Sequence, residues 1–217
     1  MIVAGLTGSI GMGKSNAAGA LRRLGVPVHD ADAEVHRLLG PGGRAVAAVA
    51  AAFPAALAGN GINRKVLGDM VFGDTAALRR LEAILHPLVR RSSRIFLRAA
   101  ARRGVPLAVL DIPLLYESRG EGTVDAVIVV SAPSLVQRQR VLARPGMTEA
   151  KFRAILARQV PDAEKRRRGD FIVMTGGHRG DTFRQLRRIV HQVKAKSRLI
   201  KAKRQAVRRA AMKDLGP

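Results

Sequence analysis

The sequence of 217 residues contains no cysteine, no tryptophan and only one tyrosine. Without thiols the chain has no disulfide, no zinc–thiolate site and no cysteine nucleophile. Aromatic residues make up 3% of the chain, so stacking surfaces for nucleic acid bases are poorly supplied. The sequence also lacks an apolar run of eighteen residues, the length that a membrane-spanning helix needs. Its hydrophobic content of 47% is that of a globular protein.

Acidic residues are also scarce. The chain has 39 Lys and Arg against 16 Asp and Glu, a formal net charge of +23. Nine basic residues and one acid lie between Lys194 and the C-terminus. A field of this sign attracts polyanions, whether nucleic acids, acidic membranes or phosphorylated metabolites. The charge alone does not choose among these partners.

Residues 8–15 read Gly-Ser-Ile-Gly-Met-Gly-Lys-Ser and fit the pattern G-x-x-x-x-G-K-(S/T). The apolar run Ile2–Leu6 precedes them and predicts a buried strand. Residues 16–24 follow with the spacing of an amphipathic helix that Gly25 closes. A strand, a glycine loop and a helix in this order are the context of a phosphate-binding loop. We therefore predict that the chain binds a nucleoside triphosphate.

The residue types in this loop suit a polyphosphate. Only glycine lets the main chain approach phosphate oxygens without a Cβ clash, which accounts for Gly11 and Gly13. The helix that opens at Gly13 adds the partial positive charge of its N-terminus. We expect Lys14 to reach the β and γ phosphates and the Ser15 hydroxyl to bind Mg²⁺. ATP and Mg²⁺ are therefore the expected cofactors.

Four further apolar segments predict strands, at residues 26–29, 106–111, 126–130 and 170–174. Ligands of open α/β sheets bind at the carboxyl ends of such strands. Asp111 ends the third predicted strand, where an acid holds Mg²⁺ directly or through water. Asp30-Ala31-Asp32 follows the second strand and has two interpretations. Asp30 is suited to cap the next helix, and Asp32 is suited to take the proton of an acceptor hydroxyl.

Residues from about 33 to 103 carry helical patterns and no convincing strand, which predicts a helical insertion. Pro87 is expected to disturb the long helix that begins near Asp74, because proline removes a hydrogen-bond donor. Two arginine-rich helices within about 136–164 have two interpretations. They form a solvated charged face or a lid over the transferring phosphoryl group, and the phosphate loop favours the lid.

The last part of the chain predicts a basic helix that starts at about residue 181. Its apolar residues keep one helical face up to Val193, and we expect that face to pack on the sheet. Residues 196–217 then form a basic C-terminal extension, which is expected to be exposed or partly disordered. Contact of this extension with a polyanion is an expected secondary property.

Several of these segments, in this order over about residues 1–193, match the motifs of one known family. The matching segments are GLTGSIGMGKS at 5–15, DAD at 30–32, HP at 86–87, DIPLLYE at 111–117 and GDFIV at 169–173, with Arg140, Arg144 and Gln159. On these residues the chain resembles the dephospho-coenzyme A kinase family. It departs from the family pattern at Asn16, Ile155, Gly169 and Thr175.

The resemblance implies a three-layer α/β fold of the P-loop NTPase type. Its parts are a five-stranded parallel sheet, a helical acceptor-binding insertion and a helical lid. One kinase domain would then span residues 1–195, before the extension 196–217. The implied divisions are a core of 1–32, 104–135 and 165–193, an insertion of about 33–103 and a lid of about 136–164.

The resemblance also implies an activity, the ATP-dependent phosphorylation of the ribose 3′-hydroxyl of dephospho-CoA to give CoA and ADP. The implied catalytic residues are Asp32, Lys14 and Arg140. The implied nucleotide-binding residues are Gly11, Met12, Gly13, Lys14, Ser15, Asn16 and Arg144. The implied acceptor-binding residues are Asp32, Arg64, His86 and Leu114. The metal would be held by Ser15 and, through water, by Asp111.

Two alternatives stay open on the residues alone. The first is another small-molecule P-loop kinase, for example a nucleoside or nucleotide kinase, because one core accepts different acceptor pockets. The second is a nucleic-acid-binding NTPase, which the low aromatic content disfavours. We expect no obligatory nucleic acid partner and no membrane span. Because the N-terminus leads directly into a strand, we also expect no signal peptide and a cytoplasmic location.

Overall fold

A computed structural model describes residues 1–195, 197, 199, 200 and 202 of the chain. The chain forms two compact units, one of residues 30–99 and one of residues 1–29 with the described residues from 100 onward. We call them the helical unit and the sheet unit. Most of the predicted extension 196–217 lies outside the described residues.

The strands of the described residues are β1 (Ile2–Thr7), β2 (Val28–Asp30), β3 (Leu57–Ala58), β4 (Gly61–Ile62), β5 (Leu107–Asp111), β6 (Ala126–Ser131) and β7 (Phe171–Met174). The α-helices are α1 (Lys14–Arg23), α2 (Ala31–Leu39), α3 (Val46–Ala52), α4 (Arg64–Val71), α5 (Thr75–Arg102), α6 (Ser134–Leu142), α7 (Glu149–Ala157), α8 (Asp162–Arg168) and α9 (Arg179–Ala195). No helix of the described part of the chain has the length and apolarity needed to cross a membrane.

Five strands form one sheet in the order β2-β5-β1-β6-β7. β1 pairs in parallel with β5 on one side and with β6 on the other, and β6 pairs in parallel with β7. The predicted five-stranded parallel sheet is confirmed. β2 begins at Val28 rather than at the predicted residue 26, because Gly25 and the two residues after it turn the chain away from α1. Since β1 lies at the centre, the loop that follows it stands in the middle of the carboxyl edge.

One face of the sheet packs against α1 and α9. The buried residues that alternate along the strands and form this face are Ile2, Ala4, Leu6, Leu107, Val109, Ile128, Val130 and Val173. The helices contribute Ala17, Ala18, Ala20, Leu21, Leu186, Ile189, Val190 and Val193. The last helix therefore packs on the sheet as its apolar face predicts. Each fully buried Val or Leu in this layer contributes about 1.5–3 kcal/mol.

The opposite face of the sheet is approached very closely by the chain that follows β5. A Cβ added to Gly5 would lie 2.8 Å from Leu115 Cδ2 and 3.4 Å from a methyl of Val124. Gly169 also packs closely against the sheet, since a Cβ there would lie 2.6 Å from Cγ2 of Val129 in β6. Leu115 and Val124, both fully buried, therefore pack on the second face of the sheet.

The helical unit has a hydrophobic core of its own. Its buried residues are Leu38, Leu39, Ala45, Val49, Phe53, Ala56, Ile62, Leu67, Ala77, Leu81 and Leu85. The expectation of a region without strands is wrong in one detail, because β3 and β4 pair as a short antiparallel hairpin. Its strands are two residues long, which is too short for an alternating pattern to reveal.

Side-chain caps set the starts of three helices in this unit. Asp30 accepts a hydrogen bond from the Ala33 amide at 2.9 Å, so the capping interpretation of Asp30 is confirmed. Asn63 accepts from the Lys65 and Val66 amides at the start of α4. Asp74 accepts from the amides of Ala77 and Ala76, and these bonds lower the pKa of its carboxyl.

Pro87 does not break α5, which is one helix from Thr75 to Arg102. The missing donor at Pro87 deprives the Ala83 carbonyl of one bond in the helical ladder. Ala83 and Pro87 are both exposed, so solvent can satisfy that carbonyl. The predicted disturbance therefore leaves the helix continuous.

The region predicted as a lid contains a helix that the sequence patterns did not indicate. α8 begins at Asp162 and carries four basic residues in its last turns. It crosses residue 164, where the implied boundary between lid and core was drawn. Its short length and dense charge hide its apolar face, because the side chain that it buries is Lys165.

Candidate active site

The loop after β1 adopts a conformation that only glycine accommodates. Gly11 and Gly13 have φ angles of 78° and 84°, in the left-handed region. A Cβ at Gly11 would lie 2.5 Å from Val141 Cγ2, and one at Gly8 would lie 2.6 Å from the Val130 carbonyl oxygen. The pattern of glycines thus reflects both backbone conformation and close packing against β6 and α6.

The predicted lysine and aspartate of the phosphate site are in direct contact. Lys14 is the first residue of α1, and its Nζ lies 2.6 Å from Oδ1 of Asp111, the last residue of β5. The pairing of β1 with β5 sets Leu6 opposite Asp111, which brings this carboxylate to the base of the loop. The Asp111 side chain is 3% exposed and that of Lys14 is 17% exposed. The pair therefore keeps two charges balanced at a largely water-free position.

Arg140 on α6 also reaches the phosphate loop. Its Nη1 donates to Thr175 Oγ1 at 3.0 Å and its Nη2 to the Thr175 carbonyl at 2.6 Å. The same Thr175 hydroxyl donates to the Met12 carbonyl at 2.7 Å. A Cβ at Gly13 would lie 3.4 Å from Arg140 Nη1, so the guanidinium lies directly beside the loop. Two predicted residues, Arg140 and Met12, are thus joined through one that departs from the family pattern.

Two glutamines hold the backbone of Ile10 in the loop. Gln159 Oε1 accepts a hydrogen bond from the Ile10 amide at 3.0 Å. Gln137 Nε2 donates to the Ile10 carbonyl at 2.7 Å. Gln137 was not identified from the sequence, where it lies in an arginine-rich helix without a distinguishing pattern. Its burial is the signal that marks it, because a buried glutamine requires partners.

Met12 contributes to the loop through its side chain as well as its backbone. Its sulfur lies 3.0 Å from the Ala132 amide, and its own amide donates to the Ser9 carbonyl at 3.1 Å. The residue is 3% exposed. Met12 therefore anchors the loop to the end of β6.

The remaining predicted residues of the sheet unit are more open to solvent. Ser15 is exposed in the first turn of α1, and Asn16 beside it is half-buried. Arg144 is exposed in the turn after α6, and Leu114 is 48% exposed after β5. These four side chains are at least partly open to solvent, so a bound ligand can reach them.

The oxygen donors near the loop fit Mg²⁺. The Ser15 hydroxyl and the Asp111 carboxylate are hard oxygen ligands of the kind that this ion binds. Among the described residues, no group of three or more His, Cys, Asp or Glu side chains is placed to hold a metal. A small protein ligand set of this kind matches a Mg²⁺ whose other ligands are water and substrate phosphates.

Three of the four predicted acceptor-side residues lie in the helical unit. Asp32 is in the first turn of α2, Arg64 is the first residue of α4, and His86 is in the middle of α5. All three are exposed. They come from three different helices, and their exposure leaves each available to a ligand.

An ion pair joins the first two helices after β6. Arg138 Nε donates to Glu149 Oε2 at 2.9 Å and links α6 to the start of α7. This hydrogen bond is the main cause of a lowered pKa of the Glu149 carboxyl, which burial opposes and Arg153 reinforces. A lowered pKa means that the link contributes at neutral pH and is lost when pH falls through that value.

Comparison with known proteins shows the family of this chain. A family model described as dephospho-CoA kinase matches residues 1–180. A dephospho-CoA kinase of Paramagnetospirillum magneticum is 61% identical over 166 residues, covering 76% of this chain and 78% of that protein. One from Novosphingobium aromaticivorans is 54% identical over 195 residues, covering 90% of this chain and 96% of that protein.

A solved structure has a similar fold over most of the chain. The crystal structure of a protein from Thermus thermophilus superimposes with a TM-score of 0.76 at 35% identity. The match covers 88% of this chain and 97% of that one. The family model and these relatives show that the chain belongs to the dephospho-CoA kinase family.

Proposed function

We propose that this chain transfers the γ-phosphoryl group of ATP to the ribose 3′-hydroxyl of dephospho-CoA, giving CoA and ADP. This reaction is the last step of coenzyme A biosynthesis. The observation that carries the proposal is the convergence of Lys14, Asp111 and Arg140 on the glycine loop. The relatives, which are named dephospho-CoA kinases, support the choice of acceptor.

In this proposal the phosphate site works by positioning and by charge. Loop amides and the N-terminus of α1 face the nucleotide phosphates. Lys14 exchanges the Asp111 carboxylate for β- and γ-phosphate oxygens when the nucleotide binds. Arg140, held beside Gly13 by Thr175, stabilises the charge that develops on the transferring group. Asn16 and Arg144 complete the nucleotide contacts.

Ser15 and, through water, Asp111 would hold Mg²⁺. The ion supplies neutralisation of phosphate charge during transfer when it is bound. The 2.6 Å contact between Lys14 Nζ and Asp111 Oδ1 supports this assignment, because the carboxylate lies beside the lysine that is proposed to bind the phosphates. In this proposal Asp111 pairs with Lys14 before the nucleotide binds, and its carboxylate would bind a water of the Mg²⁺ shell afterwards.

The acceptor side supplies the nucleophile. The 3′-oxygen forms a bond to the γ-phosphorus while the bond from that phosphorus to the bridging oxygen of ADP breaks. Asp32 takes the proton of the attacking hydroxyl. Arg64, His86 and Leu114 hold the acceptor, and each has an exposed side chain that a ligand can reach.

The proposed division of labour follows the regions of the sequence. The insertion of about 33–103 binds the acceptor, and the lid of about 136–164 covers the phosphates. The core consists of 1–32, 104–135 and 165–193, within a kinase domain of 1–195. We place the reaction in the cytoplasm. Contact of the extension 196–217 with polyanions is a secondary property.

Release of ADP from ATP and Mg²⁺ tests the function. Dephospho-CoA is offered beside adenosine, AMP, CMP and an RNA homopolymer. We expect turnover with dephospho-CoA and its loss in Lys14→Ala. Activity with another small acceptor alone would replace the substrate, and stimulation by RNA alone would replace the class of enzyme.

A further inference from the structure

A fully buried lysine lies next to the site but takes no part in the proposed chemistry. Lys165 on α8 has 0% side-chain exposure, and its Nζ lies 2.7 Å from Oε1 of Glu117. Glu117 follows β5 and is 13% exposed. Burying both charges costs desolvation energy that an apolar pair of similar volume avoids. Stability alone is therefore a weak reason for an ion pair here.

The same carboxylate oxygen also holds a piece of backbone. Glu117 Oε1 accepts a hydrogen bond from the Val160 amide at 3.0 Å. Val160 lies in the turn between α7 and α8, directly before Pro161. A second tether holds this turn from the other side, because the Ser131 hydroxyl donates to Asp162 Oδ2 at 2.7 Å. The turn is thus attached to the segment that follows β5 and to the end of β6.

The residue before Val160 is Gln159. Its Oε1 accepts a hydrogen bond from the Ile10 amide of the phosphate loop at 3.0 Å. A shift of the Val160 backbone would move Gln159 with it, since the two are adjacent in the chain. Ile10 lies next to Gly11, which has a positive φ and packs against α6. A continuous chain of contacts therefore runs from Glu117 through the turn to the phosphate loop.

We propose that Glu117 is a positioning residue for nucleotide binding. By holding Val160 and Lys165 together, it fixes the turn that presents Gln159 to Ile10. Loss of the Val160 bond weakens binding of MgATP even where the fold survives. The proposal rests on the proposed function only in taking ATP as the nucleotide, and it makes no use of the acceptor.

Two double variants isolate the bond to Val160 from the buried charge. Glu117→Gln/Lys165→Met, called the Gln/Met variant, removes both charges and keeps a side-chain oxygen that can accept from the Val160 amide. Glu117→Met/Lys165→Met, called the Met/Met variant, removes both charges and that oxygen. The measured quantities are the Kd of MgATP by calorimetry, the melting temperature, and kcat and KM for ADP release. All are measured well below the melting temperature of either variant.

We expect the Gln/Met variant to bind MgATP like the wild type. The Met/Met variant should bind it about 3- to 10-fold more weakly, which is the usual effect of one hydrogen bond. Its KM for ATP should rise while kcat changes by less than about threefold. A purely structural role would lower the melting temperature of the Met/Met variant and leave its Kd unchanged, which would overturn the proposal.

Gln159→Leu tests the path of the effect. Alone it should weaken MgATP binding by a similar factor, and added to the Met/Met variant it should cause little further loss. Additive losses would mean that Glu117 does not act through Gln159. If the wild type binds MgATP but does not turn over dephospho-CoA, the proposed acceptor fails while the comparison between variants still stands. If the wild type does not bind MgATP, both proposals fall.

Discussion

The phosphate side of the site and the proposed acceptor side are built differently. Around the loop, Lys14, Asp111, Arg140 and Thr175 are joined to one another or to the loop by short polar contacts. In the helical unit the proposed residues are exposed and come from separate helices. The triphosphate group is the same in every nucleoside triphosphate, so a preorganised site suits it. Acceptor contacts can instead form when the specific ligand arrives.

Lys14→Ala should produce the largest effect, because it removes the charge closest to the proposed transferring group. We expect kcat for ADP release to fall about 10³-fold. The change also removes the ammonium group that lies 2.6 Å from the buried Asp111 carboxylate, so Lys14→Ala/Asp111→Asn is measured as well. Arg187→Ala, exposed on α9, is the control for lost positive charge. Near-normal kcat in a folded Lys14→Ala enzyme would contradict the phosphate role.

Asp32→Asn tests the acceptor side at its proposed chemical centre. We expect kcat to fall about 10²-fold, with loss of the acidic limb of the pH–rate profile, because the proton acceptor is gone. Asp30→Asn is the matched control, since asparagine keeps the cap on α2. Its kcat should stay within about threefold of the wild type. Full turnover and an unchanged pH profile in Asp32→Asn would remove the proposed base.

Arg64→Ala should separate the two sides by their Michaelis constants. We expect KM for dephospho-CoA to rise about tenfold with KM for ATP unchanged, because one charge-assisted contact to the acceptor is lost. Lys65→Ala, the exposed neighbour on α4, is the control. A rise in KM for ATP instead would place Arg64 on the nucleotide side. Steady-state kinetics with each substrate varied in turn decides between these results.

Thr175→Val should give the smallest effect and reports on preorganisation. It removes the hydroxyl that joins Arg140 to the Met12 carbonyl and leaves the side-chain volume nearly unchanged. We expect KM for ATP to rise about threefold. Thr175→Ser keeps the hydroxyl and should behave like the wild type. Equal KM values in the two variants would mean that this link does not prepare the phosphate site.

Local patterns were sufficient to predict most of the elements that build the site. The glycine loop lies between β1 and α1, and all three fall within 25 consecutive residues. The apolar run predicts the strand, the glycine spacing predicts the loop, and the apolar periodicity predicts the helix. Asp111 was found because it ends an apolar strand. Arg140 and Gln159 were found through the resemblance rather than through their own patterns.

Other features depend on residues far apart in the chain. Thr175 and Met12 are separated by 163 positions, and Ile10 and Gln159 by 149. Lys165 looks like one more solvated charge of α8, yet it is fully buried. The spacing of residues within α8 cannot predict this burial, because the carboxylate that compensates the charge of Lys165 belongs to Glu117 in another segment.

The sequence by itself determined the class of fold, the phosphate loop and the family, since these follow from residue type and spacing over short stretches. The tertiary structure decided which side chains hold that loop in place. Gln137 on α6, Thr175 after β7 and the pair of Glu117 with Lys165 acquire their roles only when these distant segments are brought together. The physical reason is that a buried polar group is stable only beside its partner, and the fold supplies the partner.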